Sequence, residues 1–214
     1  MAITNFSELK TAIANWLNRS DLTDRIPEFI DLCETELDRQ LRTTDQLTRS
    51  TTPITGQYAS LPTDFLEIKN IQLDTSPVKR LQYLTPDRLD DERRTIYRSS
   101  GEPVYYSILG NNMEFAPTPD ATYTLQIAYY ARLSKLSDSN TTNFLITNHP
   151  DIYLYGSLKH AEPFLMNDER IVVWGTLYER ALEQLRLQEE AQKSGDGMMQ
   201  MKPKYRLDTG AWKT

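Results

Sequence analysis

"YTLQIAYYARL", residues Tyr123 to Leu133, alternates strictly. Tyr123, Leu125, Ile127, Tyr129 and Ala131 fall on one side of a period-two pattern, and Thr124, Gln126, Ala128, Tyr130 and Arg132 on the other. Such alternation in aromatic and β-branched residues predicts a strand with one face on a core. Back to Leu47 the chain keeps this short rhythm, broken by the turn-forming segments "PITGQY", "DTSPV", "LGNNM" and "APTPDA". Runs joined so tightly predict an antiparallel sheet or small sandwich, because parallel neighbours need a crossover of roughly a dozen residues or more. One interruption, "TPDRLDDERR", reads as a short helix capped by Thr85 with Pro86 first inside it.

Outward from this region the period lengthens on both sides. Phe6, Leu9, Ile13, Trp16 and Leu17 share one face of a helix over residues 6–18, and Asn5 and Glu8 have capping-box spacing. A second helix tolerates Pro27 only in its first turn, and its stripe is Ile26, Phe29, Ile30, Cys33, Leu37 and Leu41. Glu34, Asp38 and Arg42 recur at four-residue steps on another side, which predicts a solvated face. Beyond the polar "SKLSDSNTTN", Pro150 opens a helix to about Phe164 with Leu154, Leu158, Ala161 and Leu165 on its stripe. A turn at "MNDE" starts the longest helix, lined by Ile171, Trp174, Tyr178, Ala181, Leu182 and Leu185, with Gly195 as its stop.

Helices at both ends with strands between predict an α+β fold. Residues 1–46 supply an N-terminal helical pair and 134–194 a C-terminal helical hairpin that completes a helical bundle. Residues 47–133 form an inserted antiparallel β domain and 195–214 an extended C-terminal arm. At 214 residues, with 39% hydrophobic and 25% charged residues, the chain has the composition of a globular protein with a core of its own. No stretch approaches the ~20 apolar residues of a membrane span, and "MAITNFSELK" lacks a signal peptide's basic start and apolar centre. A chain kept in a cytosol is expected, without membrane association. Cys33 is the only cysteine, so an internal disulfide is excluded, and its place on an apolar stripe predicts a buried thiol.

The formal charge of −6 is uneven: from Gly195 onward four basic residues outweigh two acidic ones, giving +2, and the remainder carries −8. An acidic body argues against a surface built to hold DNA phosphates. The two histidines, His149 and His160, stand eleven residues apart. On one helix that is roughly 16 Å of rise, too far for a shared metal. Asp90, Asp91 and Glu92 adjoin Arg93 and Arg94 and are expected to satisfy one another or water. Adjacent carboxylates on a helix diverge, whereas a glycosidase needs two facing each other across a cleft. "AYYARL" and "VYYSI" could stack single-stranded nucleic acid, but such readers interleave basic residues with aromatics, and here only Arg132 follows closely. No phosphate-cradling glycine loop or nucleophile elbow is present. No enzymatic activity, cofactor or metal is expected. The rival readings are a carbohydrate-acting enzyme using the acidic cluster and a single-strand binder using the tyrosines.

Several phrases together resemble the head-to-tail adaptor (connector) proteins of tailed bacteriophages: "LPTDFLEIKNIQL" (Leu61 to Leu73), "GEPVYYSILGNNMEFAPTPDATYTLQIAYYARL" (Gly101 to Leu133) and "HPDIYLYGSLKHAEPFLMNDERIVVWGTLYERAL" (His149 to Leu182). The opening "TNFSELKTAIANWLNRSDL" fits as well. The resemblance implies a virion structural protein, assembled in the host cytoplasm, that forms a ring of twelve copies between the portal and the tail or nozzle. DNA would pass through its channel without specific binding. It also implies a C-terminal arm along the portal. Met198, Met199, Met201, Tyr205 and Trp212 would serve as its anchors there, methionine and aromatic side chains being adaptable contact residues.

Overall fold

The computed structural model describes residues 2–19, 21–95, 100–165 and 168–193. Helix α1 (Phe6–Leu17) starts where the Asn5 side chain accepts the Glu8 N–H at 2.9 Å. Only half of the capping box forms, because the Glu8 carboxylate reaches past Asn5 to the N–H and hydroxyl of Thr4, both at 2.7 Å. Helix α2 (Ile26–Gln40) carries Pro27 in its first turn, where the missing N–H would have had no helical partner. The two helices bury Phe6, Leu9, Ile13 and Leu17, and Ile26, Phe29, Ile30, Cys33 and Leu37. Trp16 does not join that interior and is half exposed at the end of α1.

A single 3-10 turn (Thr44–Gln46) leads into β1 (Leu47–Ile54). Then follow β2 (Tyr58–Ser60), β3 (Phe65–Leu73), β4 (Lys79–Arg80), β5 (Gln82–Tyr83), α3 (Pro86–Thr95), β6 (Tyr105–Leu109), β7 (Asn112–Ala116) and β8 (Tyr123–Ala131). They form two four-stranded sheets, ordered β1-β8-β3-β4 and β2-β7-β6-β5. Leu125, Ile127 and Tyr129 of β8 are buried, as the period-two reading requires, and they meet Ile54, Ile71 and Leu73 of their own sheet and Tyr106, Met113 and Phe115 of the other in one cluster. Tyr130, on the opposite side of β8, is buried too. One pairing departs from the antiparallel expectation: β5 runs parallel to β6. The connection between them holds α3, which gives the crossover length that a parallel pair demands.

Helix α4 (Phe144–Asn148) has no counterpart in the periodicity reading; five residues are too few to show a helical stripe. It forms because the Asn143 side chain caps it, accepting the Ile146 N–H at 3.0 Å. Helices α5 (Pro150–Leu165) and α6 (Asp168–Lys193) complete the chain's described elements. α5 is buried around much of its circumference, at Ile152, Tyr153, Leu154, Ser157, Leu158, Ala161 and Glu162, rather than along the single expected stripe. It packs against α1, α2, α4 and α6, so several of its sides meet neighbours. Buried residues of all five helices form one hydrophobic cluster, which also takes in Leu133 and Leu136.

Those last two residues overturn the solvated-face expectation for α2. The segment leaving β8 lies along that face: Asp38 accepts the Leu133 N–H at 2.9 Å and Glu34 the Leu136 N–H at 2.8 Å. Glu34 is only 1% exposed and also accepts the Tyr153 hydroxyl at 2.9 Å. Lys135 pairs with Asp31. The four-residue spacing does mark one face, but the chain that covers it comes from a hundred residues away.

Candidate docking interface

Where two helix ends meet, the apolar surface is left open. Trp16 from the end of α1, Tyr155 of α5 and Trp174 of α6 form a ring cluster: Trp16 lies 5.5 Å from Trp174 and 6.2 Å from Tyr155, and Tyr155 stacks on Trp174 at 6.4 Å. Phe164 packs on Phe29 at 5.7 Å. On the same helices Val172 is 72% exposed, Phe164 54%, Val173 53% and Trp16 48%. The reason lies in α6, whose Tyr178, Ala181, Leu182 and Leu185 are buried against the core while Val172 and Val173 nearer its start face outward. Glu162 anchors the cluster from beneath, fully buried, and accepts the Trp174 indole N–H at 3.0 Å. Large exposed apolar side chains grouped on rigid helices are the usual composition of a protein contact surface. Sequence reasoning placed Trp174 on the apolar face but missed Val172, Val173 and Phe164. The signal was available: Ile171, Val172, Val173 and Trp174 are four consecutive apolar residues, and a helix cannot turn all four to one side.

The residues singled out for chemistry go elsewhere. His149 ends α4, donating its N–H to the Leu145 carbonyl, while its own carbonyl accepts the Ile152 N–H at the start of α5. His160 lies on α5 with its Nε2 2.9 Å from Glu36 Oε2, and Lys159 donates to Glu36 Oε1 at 2.7 Å. Burial lowers the His160 pKa, opposed by Glu36. Burial pushes Glu36 up, but Lys159 and His160 outweigh it and hold the carboxyl below its usual range. The histidines therefore sit in separate settings, one at a helix junction and one hydrogen-bonded beside the Lys159–Glu36 ion pair between α2 and α5. Cys33 is buried, and burial raises its thiol pKa, the opposite of what a nucleophile needs.

The acidic cluster is not the self-contained set expected. Arg93 leaves Asp90, at 3.9 Å, to pair with Glu114 of β7, and donates to the Phe115 carbonyl at 2.7 Å. It thereby fastens α3 to the second sheet. Arg94 stays local, 3.5 Å from Asp91. Tyr129 and Tyr130 are buried, so that strand offers no stacking platform. The five arm residues Met198, Met199, Met201, Tyr205 and Trp212 lie outside the described residues. No described helix is long and apolar enough to cross a membrane.

What remains is a surface for contact, and comparison with known families agrees. The family model for the SU10 adaptor protein matches residues 4–201. The chain belongs to this phage head-to-tail adaptor family. An adaptor of this family is a structural component of the virion, which implies a non-enzymatic role and contact with portal and tail proteins. No curated protein sequence matches the chain.

Proposed function

We propose that this adaptor assembles as a closed ring, of twelve copies as in the proteins it resembles, which joins the portal to the tail or nozzle and leaves a central channel for DNA. The observation that carries the reading is the family match over residues 4–201. The helical body, residues 1–46 and 134–194, meets neighbouring copies and the portal, and the β-rich insertion, 47–133, faces the tail side. The exposed apolar side chains Trp16, Phe164, Val172 and Val173 on the helical body support such a body-to-body contact. Heterologous contacts of this kind close into a ring only when the rotation between copies is right. The arm, 195–214, docks on the portal through Met198, Met199, Met201, Tyr205 and Trp212. The acidic balance of the body, −8 outside the arm, keeps packaged DNA from adhering to the channel wall.

Native mass measurement of the chain, alone and mixed with its portal, tests this. A portal-dependent rise to the mass of a ring is expected. A mixture that stays at the masses of the separate components overturns it.

A further inference from the structure

The chain enters the β domain through residues 41–46 and leaves it through 132–143. The hydrophobic clusters of the two bodies share no residue, and α3 is the one described helix with substantial packing on strands. Where the β domain stands on the helical body therefore depends on how these two links are held. A cleft beside the second link is lined by Asp38 of α2 and by Thr63 and Asp64 of the β domain, so the two bodies do not close on each other there.

The first link is pinned at its middle. Glu189 of α6 accepts both the N–H and the hydroxyl of Thr44, at 2.8 and 2.7 Å, and Gln46 Oε1 accepts the Thr43 N–H at 3.0 Å. The second link lies along α2 as a strap. Besides the Leu133 and Leu136 N–H groups held by Asp38 and Glu34, Lys135 pairs with Asp31, and Lys10 of α1 pairs with Asp138 at 2.9 Å. The Thr141 carbonyl accepts the Phe6 N–H at 2.8 Å. At the far end Asn143 donates to the Ser134 carbonyl at 2.8 Å and to the Tyr153 hydroxyl at 2.7 Å, and that hydroxyl in turn donates to Glu34.

Four carboxylates thus hold the strap. Asp31 and Asp138 are exposed and Asp38 is half-buried, whereas Glu34 is shut off from water. Its Oε1 takes both donors, the Leu136 N–H and the Tyr153 hydroxyl. Of the charges around it, Lys135 on the strap favours the ion and Asp31 on α2 disfavours it. Cys33, Glu36 and Asp38 stand on the same helix, Glu36 paired with Lys159 and Asp38 with the Leu133 N–H. α5 contributes Tyr153 and the start of α4 the neutral Asn143. Withdrawal from water prevails, and the carboxyl titrates at about 7 rather than 4.5. Lifting the strap returns this group to water, so the open arrangement favours the ion and the closed one the proton.

We propose that residues 133–140 are a proton-gated strap: neutral Glu34 holds it closed on α2 and so fixes the β domain on the helical body, and loss of that proton lifts it and lets the β domain turn. The first link, pinned by Glu189, is then the pivot. The device belongs to the chain's own two bodies and is independent of which partner the β domain meets.

Amide exchange and 15N relaxation of the full-length chain between pH 5 and pH 8 test it. The protection factor of the Leu136 amide, corrected for intrinsic exchange, should fall on the order of a hundredfold across that range. The Ile30 and Leu158 amides of α2 and α5 should stay at least roughly tenfold better protected than Leu136 at pH 8, which separates lifting of the strap from unfolding of the body. Amides of α2 and β8 should share one rotational correlation time at pH 5 and report two at pH 8. In Glu34→Gln the protection of Leu136 should not change with pH, and one correlation time should hold throughout. The parent chain's pH series is decisive by itself: a Leu136 protection that ignores pH, or that always equals that of Ile30 and Leu158, overturns the strap. A single correlation time at both pH values overturns the hinge, and an undiminished fall in Glu34→Gln overturns the assignment of the proton.

Discussion

Glu34 shows how far one residue's chemistry can be set by chain that arrives from elsewhere. Burial raises its pKa from 4.5 to about 7, against the Leu136 N–H and Tyr153 hydroxyl that favour the charged form. The folded chain thus holds a proton that the unfolded chain gives up. Its stabilising contribution is complete below about pH 4.5 and is lost as the pH rises to about 7. The shift corresponds to on the order of 3 kcal/mol across that window. Glu34→Gln keeps an acceptor oxygen without the ionisation. Thermal melts should show the variant gaining on the parent protein as pH rises from 5 to 8; a constant difference would rule out this carboxyl as the source. Gly156 is a second such residue. A Cβ there would collide with the Cys33 sulfur and stand 2.9 Å from the Tyr178 ring, because α2 and α6 both close on α5 at this point. Gly156→Ala should destabilise by about 2 kcal/mol in denaturant titration, and Cys33→Ala in the same chain should return part of it. Additive losses would place the strain elsewhere.

Among the elements, α3 is the one whose position depends most on a single side chain. Its few apolar residues include Leu89, which is fully buried, while Arg93 spans the gap to Glu114 and the Phe115 carbonyl. Replacing Arg93 with Ala leaves Glu114, 8% exposed, with Gln57 and Tyr58 as side-chain partners. A loss of about 2 kcal/mol is expected, with faster amide exchange confined to α3 and β7. Unchanged protection there would show that Leu89 alone holds the helix. Elements also differ in how legible they were. α1, α2, α5, α6 and β8 each carry a long apolar repeat, and the boundaries read from it agree with the structure within a residue or two. The five-residue α4 and the two-residue β4 and β5 are too short for any repeat, and they exist because a cap or a neighbouring strand completes them.

For the whole molecule, the family match gives the class of function. The arm should contribute to assembly and little to folding. Deleting 197–214 is expected to leave the melting temperature within a few degrees of the parent, corresponding to less than about 1 kcal/mol, while reducing ring formation with the portal. Unaltered assembly would remove the arm from the portal contact. Residue types and spacing alone determined the long helices α1, α2, α5 and α6 and the strand β8, that the fold is α+β, and that Cys33 is a core thiol. Periodicity reports only how each element divides its own inside from its outside. The covering of the Glu34 face, the transfer of Arg93 from its own helix to β7, and the exposure of Val172 and Val173 depend on segments far away in the chain. Tertiary structure alone decides those, because a charged or apolar side chain is stable or costly according to what is brought against it.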